Sequence, residues 1–275
     1  MSELRPYRLD VPGARIGYDV GGDGPPLMLL GSPMDSNGFR PLAGELIADF
    51  TVITYDPRGI GRSVLEDPDS GAPHEVQAED VYRVLETIGL GPAAIFGSSG
   101  GAVTALALGT AHPDVIGPVV AHEPPVIAML PDPDGARAGR EKILAAYRSG
   151  GVGAGMAAFL EWTGMAAPRF EDAPQPSPEE AAAWQQASEF LLRHLVVTTT
   201  EYQPALDQLR ALGERLTIGV GSASGDQLPR RTGEALAQRL GLRPVEFPGG
   251  HGGFLEDPPR FATRLRPLVG GPAGH

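Results

Sequence analysis

The residues Ala93-Ala94-Ile95-Phe96-Gly97-Ser98-Ser99-Gly100-Gly101-Ala102-Val103 constrain this chain more than any other stretch. A short apolar run breaks into glycines and serines, then resumes as Ala-Val-Thr-Ala-Leu-Ala-Leu, which is material for a helix. The pattern predicts strand, tight turn and helix, with Ser99 at the centre of a Gly-x-Ser-x-Gly turn. Small residues are needed because a backbone that reverses so sharply lifts the serine hydroxyl above the sheet and brings the helix close against the strand. A phosphate cradle would also use glycines. The turn, however, lacks the spacing Gly-x-Gly-x-x-Gly, and no Gly-Lys-Ser/Thr follows. It reads as the support of a nucleophilic serine.

Around this stretch, strands and helices alternate. Tyr7 to Val20 reads as a hairpin turning at Pro12-Gly13, and Leu27-Met28-Leu29-Leu30 as a buried strand ending in the polar loop Gly31 to Ser36. Pro41 to Asp49 is expected as helix, Thr51 to Tyr55 as strand, Asp56 to Ser63 as a glycine-punctuated structural turn, and Val76 to Ile88 as helix. Val115 to Ala121 is a further buried strand, stopped by His122-Glu123-Pro124-Pro125. From there to about Leu212 the strand signal disappears. Helices are expected over Arg140–Tyr147, Ala154–Trp162 and Pro178–Leu195, with a Pro/Gly-rich linker from Met165 to Pro178. Alternation resumes with strand Leu216–Val220, helix Arg231–Leu240, strand Pro244–Phe247 and helix Pro259–Leu268, and the tail Gly270 to His275 is expected to be disordered. The fold class is therefore α/β: a mostly parallel, doubly wound sheet formed by residues 1–127 and 209–275, with residues 128–208 inserted as a helical cap. In such sheets the reactive groups gather at the carboxyl ends of the strands, where each polar turn falls.

Composition narrows the partners. A net charge of −12 over 275 residues argues against nucleic acid and an anionic membrane surface. No cysteine is present, which excludes disulfides, thiolate catalysis and cysteine metal sites. No metal cluster or cofactor motif is legible. The N-terminus lacks an apolar leader and no stretch reads as long enough to span a bilayer, so a cytoplasmic monomer or homodimer is expected.

A serine needs a base. Of the six histidines, His251 stands directly after the last strand in Pro248-Gly249-Gly250-His251-Gly252-Gly253-Phe254, whose glycines let a ring reach outward. His74, His112, His194 and His275 read as ordinary surface residues. With these features in register, the chain resembles an α/β-hydrolase over nearly its whole length: serine turn, Asp56-x-Arg58-Gly59-x-Gly61 turn, helical cap, and late histidine. The resemblance implies a Ser-acid-His triad with Ser99 as nucleophile and His251 as base. The acid has two candidates. The family's commonest position follows Leu216–Val220, but that position holds Ser224, with Asp226 two residues on. Glu123 is preferred, because one subgroup of haloalkane dehalogenases and the zearalenone-lactonase-like hydrolases place a glutamate there. His122 is expected to point the other way.

The oxyanion donors are expected to be the backbone N–H groups of Gly100, at the start of its helix, and of Ser32. Met34, Trp162, Trp184 and Phe190 are expected at the substrate, with Phe159 and Met165 as further candidates. The resemblance implies cofactor-free cleavage of a small apolar ester or lactone through an acyl-enzyme. C–C bond hydrolysis, perhydrolysis, or a non-hydrolytic relative acting as a binding protein, cyclase or isomerase remain as alternatives.

Overall fold

The computed structural model describes residues 3–165 and 177–270; the expected linker from Met165 to Pro178 and the expected tail lie almost wholly outside them. The hairpin at Pro12-Gly13 is β1 (Arg5–Val11) with β2 (Ala14–Gly21), antiparallel in pairing. β3 (Pro26–Leu30), β4 (Thr51–Tyr55), the two-residue β5 (Val64–Leu65), β6 (Ala93–Ser98), β7 (Ile116–His122), β8 (Leu216–Gly221) and β9 (Val245–Phe247) complete one sheet among the described residues, in the order β1-β2-β4-β3-β6-β7-β8-β9, with β5 pairing β2. From β4 to β9 every pairing is parallel.

The residues of β3 show why. Leu27 and Leu29 face one side, Met28 and Leu30 the other, and all four are fully buried, as a strand covered on both faces requires. Two layers of helix do the covering. α1 (Arg40–Leu46) lies on the first face together with the C-terminal helix, through Leu42, Leu46, Phe261 and Leu265. α2 (His74–Ile88) and α3 (Gly100–Ala111) lie on the second, through Val81, Val84, Val103 and Leu106. α3 starts one residue after Ser99 and is buried along almost its whole length, as expected of a helix apolar on all sides.

Between β7 and β8 the described chain is helical. The helices expected over Arg140–Tyr147 and Ala154–Trp162 are the two halves of α4 (Pro133–Thr163), which is kinked at Gly151, whose φ of 71° and ψ of −164° are non-helical. The two halves meet inside the run Gly150-Gly151-Val152-Gly153, where a glycine takes the positive φ that the kink needs. Counted through the kink, α4 is long and apolar enough to cross a bilayer by length and composition alone. α5 (Pro178–Phe190) opens with a complete capping box from Ser177 and Glu180, and runs into a π-helical turn at Leu191–Leu195 and then α6 (Val196–Thr200). α7 (Leu206–Ala211) leads back to the sheet. α8 (Leu228–Leu240), the short α9 (Gly253–Glu256) and α10 (Pro258–Val269) finish the chain.

Two polar clusters brace the strand ends. Asp56 accepts the N–H groups of Ser36 and Arg62 at 2.9 and 2.8 Å, and Arg58 pairs with buried Asp80 at 2.6 Å. His74, expected at the surface, is buried instead, because its two ring nitrogens meet Thr104 and Thr199 at 2.8 and 2.7 Å and so can be enclosed without loss of hydrogen bonds.

Candidate active site

Ser99 sits between β6 and α3 with φ 57° and ψ −124°. A non-glycine residue in such a conformation costs about 1–3 kcal/mol and persists only where its surroundings enforce it. They do so here: Ser99 N–H donates to His122 O at 3.0 Å, and Ser99 O accepts from Ala102 N at 3.0 Å. The glycine two residues on follows from close approach, since a Cβ at Gly101 would stand 2.1 Å from Leu30 O. The elbow is thus wedged against the end of β3.

Glu123 is the other non-glycine residue with positive φ among the described residues, at 49°. It follows β7 directly, and its N–H is held by Gly219 O at 2.9 Å. The twist turns its side chain across the strand ends toward the loop after β9. There Oε2 accepts from His251 Nδ1 at 2.6 Å, while Oε1 accepts from Gly221 N–H at 2.8 Å. Glu123 is fully buried. Burial alone would raise its pKa; the His251 hydrogen bond, the two neighbouring imidazoles and the Ser224 hydroxyl outweigh it and bring it down to about 2. Ser224 itself is buried and its Oγ has no hydrogen-bond partner, so its contribution is that of a nearby dipole. Asp226 is exposed, in the turn before α8, and makes no contact with His251 among the described hydrogen bonds.

With Nδ1 engaged, His251 has Nε2 as its free ring nitrogen. The ring and Ser99 line one cavity of about 370 Å³; no hydrogen bond joins them directly among the described residues. Gly31, Ser32 and Met34 border the same space. The Ser32 backbone touches the elbow: a Cβ at Gly100 would stand 2.7 Å from Ser32 O. Neither Ser32 N–H nor Gly100 N–H has a protein acceptor among the described residues, and Gly100 N–H is one of the orphan donors of a helix N-terminus.

The remaining wall is apolar. Met156, Phe159 and Leu160 of α4, Met165, Trp184 and Ala187 of α5, Leu191, and Phe254 and Leu255 of α9 contribute to it. Met34, Trp184, Phe159 and Met165 therefore stand where the sequence suggested. Trp162 and Phe190 do not. Trp162 donates to Ala136 O at 3.0 Å and packs beside Gly139 and Phe159, so its ring belongs to the interior of the helical segment. Phe190 lies over Gly59 and beside His194, lining a separate cavity of about 380 Å³. Helical spacing made these aromatics candidates but did not fix which way each faces. Met156 and Leu160 were passed over, though with Phe159 they form an i, i+3, i+4 apolar face that was readable. No group of three or more potential metal ligands occurs among the described residues.

Comparison with known proteins gives this arrangement its context. The model of the alpha/beta hydrolase family matches residues 27–264. The uncharacterized hydrolase YraK of Bacillus subtilis (strain 168) is 30% identical over 268 residues, covering 95% of this chain and 94% of YraK. A thermophilic esterase from Thermogutta terrifontis superposes with a TM-score of 0.72 at 22% identity, over 96% of this chain and 97% of its own. Est816, described as an N-acyl homoserine lactone degrading enzyme, gives a TM-score of 0.71 at 20% identity, over 96% of this chain and 100% of its own. At those identities the two structures speak for the fold alone. Together with the wedged serine turn and the parallel sheet, the family match identifies this chain as a member of the alpha/beta hydrolase family.

Proposed function

We propose that this protein hydrolyses carboxylic esters or lactones of small, uncharged molecules through an acyl-enzyme. The observation that carries the reading is the Glu123–His251 pair, buried at one end and open at the other onto a cavity shared with Ser99. Ser99 Oγ attacks the carbonyl carbon as His251 Nε2 takes its proton, the serine hydroxyl turning toward the ring once substrate fills the cavity. Glu123 holds the Nδ1–H tautomer and stabilises the imidazolium. Gly100 N–H and Ser32 N–H receive the oxyanion. Collapse expels the alcohol, protonated by His251. Water, deprotonated by the same ring, then attacks the acyl carbon and frees the acid and Ser99.

Residues 128–208 act as a cap whose apolar side chains select what enters. The described lining carries no charged side chain besides the ionisable ring of His251, which favours uncharged substrates. Names of related proteins as esterase and lactone-degrading enzyme accord with this class without choosing between its members. A fluorophosphonate probe should label Ser99 in the intact protein, and Ser99→Ala should lose both labelling and turnover of a p-nitrophenyl ester while keeping its melting temperature. Labelling that survives Ser99→Ala would move the nucleophile elsewhere and undo the proposal.

A further inference from the structure

The residue before the nucleophile carries a second hydroxyl. Ser98 ends β6, and His122 ends β7 directly opposite it in register, so the two side chains leave the same face of the sheet. Ser98 Oγ and His122 Nδ1 are 3.2 Å apart. His122 is fully buried, its ring set against Phe96, Phe247 and Phe261. Its other nitrogen, Nε2, has no hydrogen-bond partner among the described residues. Ser98, though almost buried, still borders the cavity beside Ser99 and His251.

These facts select a tautomer. If Nε2 carried the hydrogen, a buried N–H would face aromatic carbon without an acceptor, which folded proteins rarely allow. With the hydrogen on Nδ1, the imidazole donates to Ser98 Oγ and only a bare lone pair is left among the phenylalanines. Burial lowers the His122 pKa to about 4, so the ring stays neutral and keeps this single hydrogen near neutral pH. Ser98 Oγ then accepts from below, and its own O–H is free to point into the cavity. Among the described residues no protein acceptor competes for it.

We infer that Ser98, held by His122 from behind, is a specificity-determining donor for esters or lactones that carry a second oxygen acceptor within a few atoms of the scissile carbonyl. An ether, hydroxyl or keto oxygen there would receive the Ser98 O–H in a cavity whose lining is mostly thioether, aromatic and aliphatic, with Ser32, Ser99, Ser188 and His251 as its other polar side chains. A substrate with methylene at that position would leave the hydroxyl unpaired. His122 acts as a positioning residue and touches no reacting atom. The inference rests on the cavity being the ester site proposed above.

The test uses pairs of esters that differ by oxygen for methylene. On the acyl side these are p-nitrophenyl methoxyacetate and p-nitrophenyl butyrate; on the alcohol side, 2-methoxyethyl butyrate and butyl butyrate. Each substrate is compared with itself across variants, so intrinsic reactivity cancels. Ser98→Ala should lower kcat/KM for the oxygen member of one pair about 3- to 10-fold more than for its methylene twin, the factor that one neutral hydrogen bond supplies. His122→Phe, which removes the donor behind the hydroxyl, should lower the same ratio by less. A Ser98→Ala enzyme that slows both members of both pairs alike shows a purely structural serine and overturns the inference. The same pairs titrated calorimetrically into Ser99→Ala, with and without Ser98→Ala, read the preference without turnover. Equal affinities in the two backgrounds would overturn it independently of whether the native protein hydrolyses any of these esters; a wild-type chain that turns over none of them would instead overturn the proposed function.

Discussion

Replacing Glu123 by glutamine isolates one charge with almost no change in shape. The amide oxygen can still accept from Gly221 N–H, now at 2.8 Å from Oε1, but the amide nitrogen then faces His251 Nδ1, which in the native chain donates to Oε2 at 2.6 Å. To accept from that nitrogen, Nδ1 must give up its hydrogen, and the imidazole moves it to Nε2. The atom that should take the Ser99 proton becomes a donor. Loss of a triad carboxylate by such a swap lowers kcat by about 10⁴, equivalent to about 5.5 kcal/mol at the transition state. Stability changes far less. The Glu123 carboxyl is lowered to about 2 from the 4.5 of a free glutamate, so its contribution is present above pH 4.5 and is lost as pH falls through 2. Its size, about 3 kcal/mol, is already net of the cost of desolvating the buried carboxylate and sets the scale of what Glu123→Gln can lose. We expect a shift of a few degrees in Tm beside a loss of three to four orders of magnitude in kcat for a p-nitrophenyl ester. Asp226→Asn should leave kcat within about twofold. A Glu123→Gln enzyme keeping more than a tenth of native kcat, or an Asp226→Asn enzyme crippled in its place, refutes the assignment of the acid.

Acid should destabilise this fold earlier than its carboxylates alone require. Burial lowers His74 to about 3 and His122 to about 4, both below the 6.5 of an unfolded chain, so the unfolded state takes up protons first; the stability these rings contribute is whole above pH 6.5 and is lost as pH falls toward those values. At full extent the losses are about 5 and about 3 kcal/mol. Urea unfolding between pH 7 and 4.5 should show a slope that flattens by about one proton in His74→Gln; parallel slopes would remove His74 from the explanation. The two tryptophans should separate cleanly. Trp184→Ala, at a half-exposed position on the cavity wall, should raise KM for an apolar ester several-fold with little change in Tm, whereas Trp162→Ala should cost about 2 kcal/mol or more by opening the interior of the helical segment. Opposite results in a melting and a kinetic assay would reverse the two placements.

The strands and the serine turn were legible because their signals are local: Leu27 to Leu30 can only be a strand buried on both faces, and Gly97 to Gly101 can only be a tight reversal. The bounds of α4 were less so: its halves read as Arg140–Tyr147 and Ala154–Trp162, whereas the first begins at Pro133 and only the kink at Gly151 separates the two. His74 looked like a surface residue because nothing in its neighbourhood shows Thr199, which lies 125 positions away and completes its hydrogen bonds. The choice between Glu123 and Asp226 turned on family resemblance. Contact with His251, 128 positions beyond Glu123, exists only in three dimensions. The sidedness of Trp162 and Phe190 was illegible for the same reason: a helix with apolar residues on more than one face does not announce which face meets the ligand.

Glu123 stands where the chain leaves the sheet, and the residues that clamp it come from beyond the helical segment. Its N–H is held by Gly219 of β8, and the carbonyl of the next residue, Pro124, accepts the hydroxyl of Thr232 on α8 at 2.8 Å. Pro124 and Pro125 then stiffen the exit. The stretch between Val126 and Leu212 supplies walls of the cavity, yet it also reaches into the core, where Thr199 completes the hydrogen bonds of His74 and Met129, Tyr202 and Leu209 join the main apolar cluster. Exchanging only the cavity-facing helices, with Met129, Thr199, Tyr202 and Leu209 retained, would bring new walls to the cavity while the carboxylate and its imidazole kept their places. The walls of the cavity and the Glu123–His251 pair come from different parts of the chain and can thus be exchanged separately.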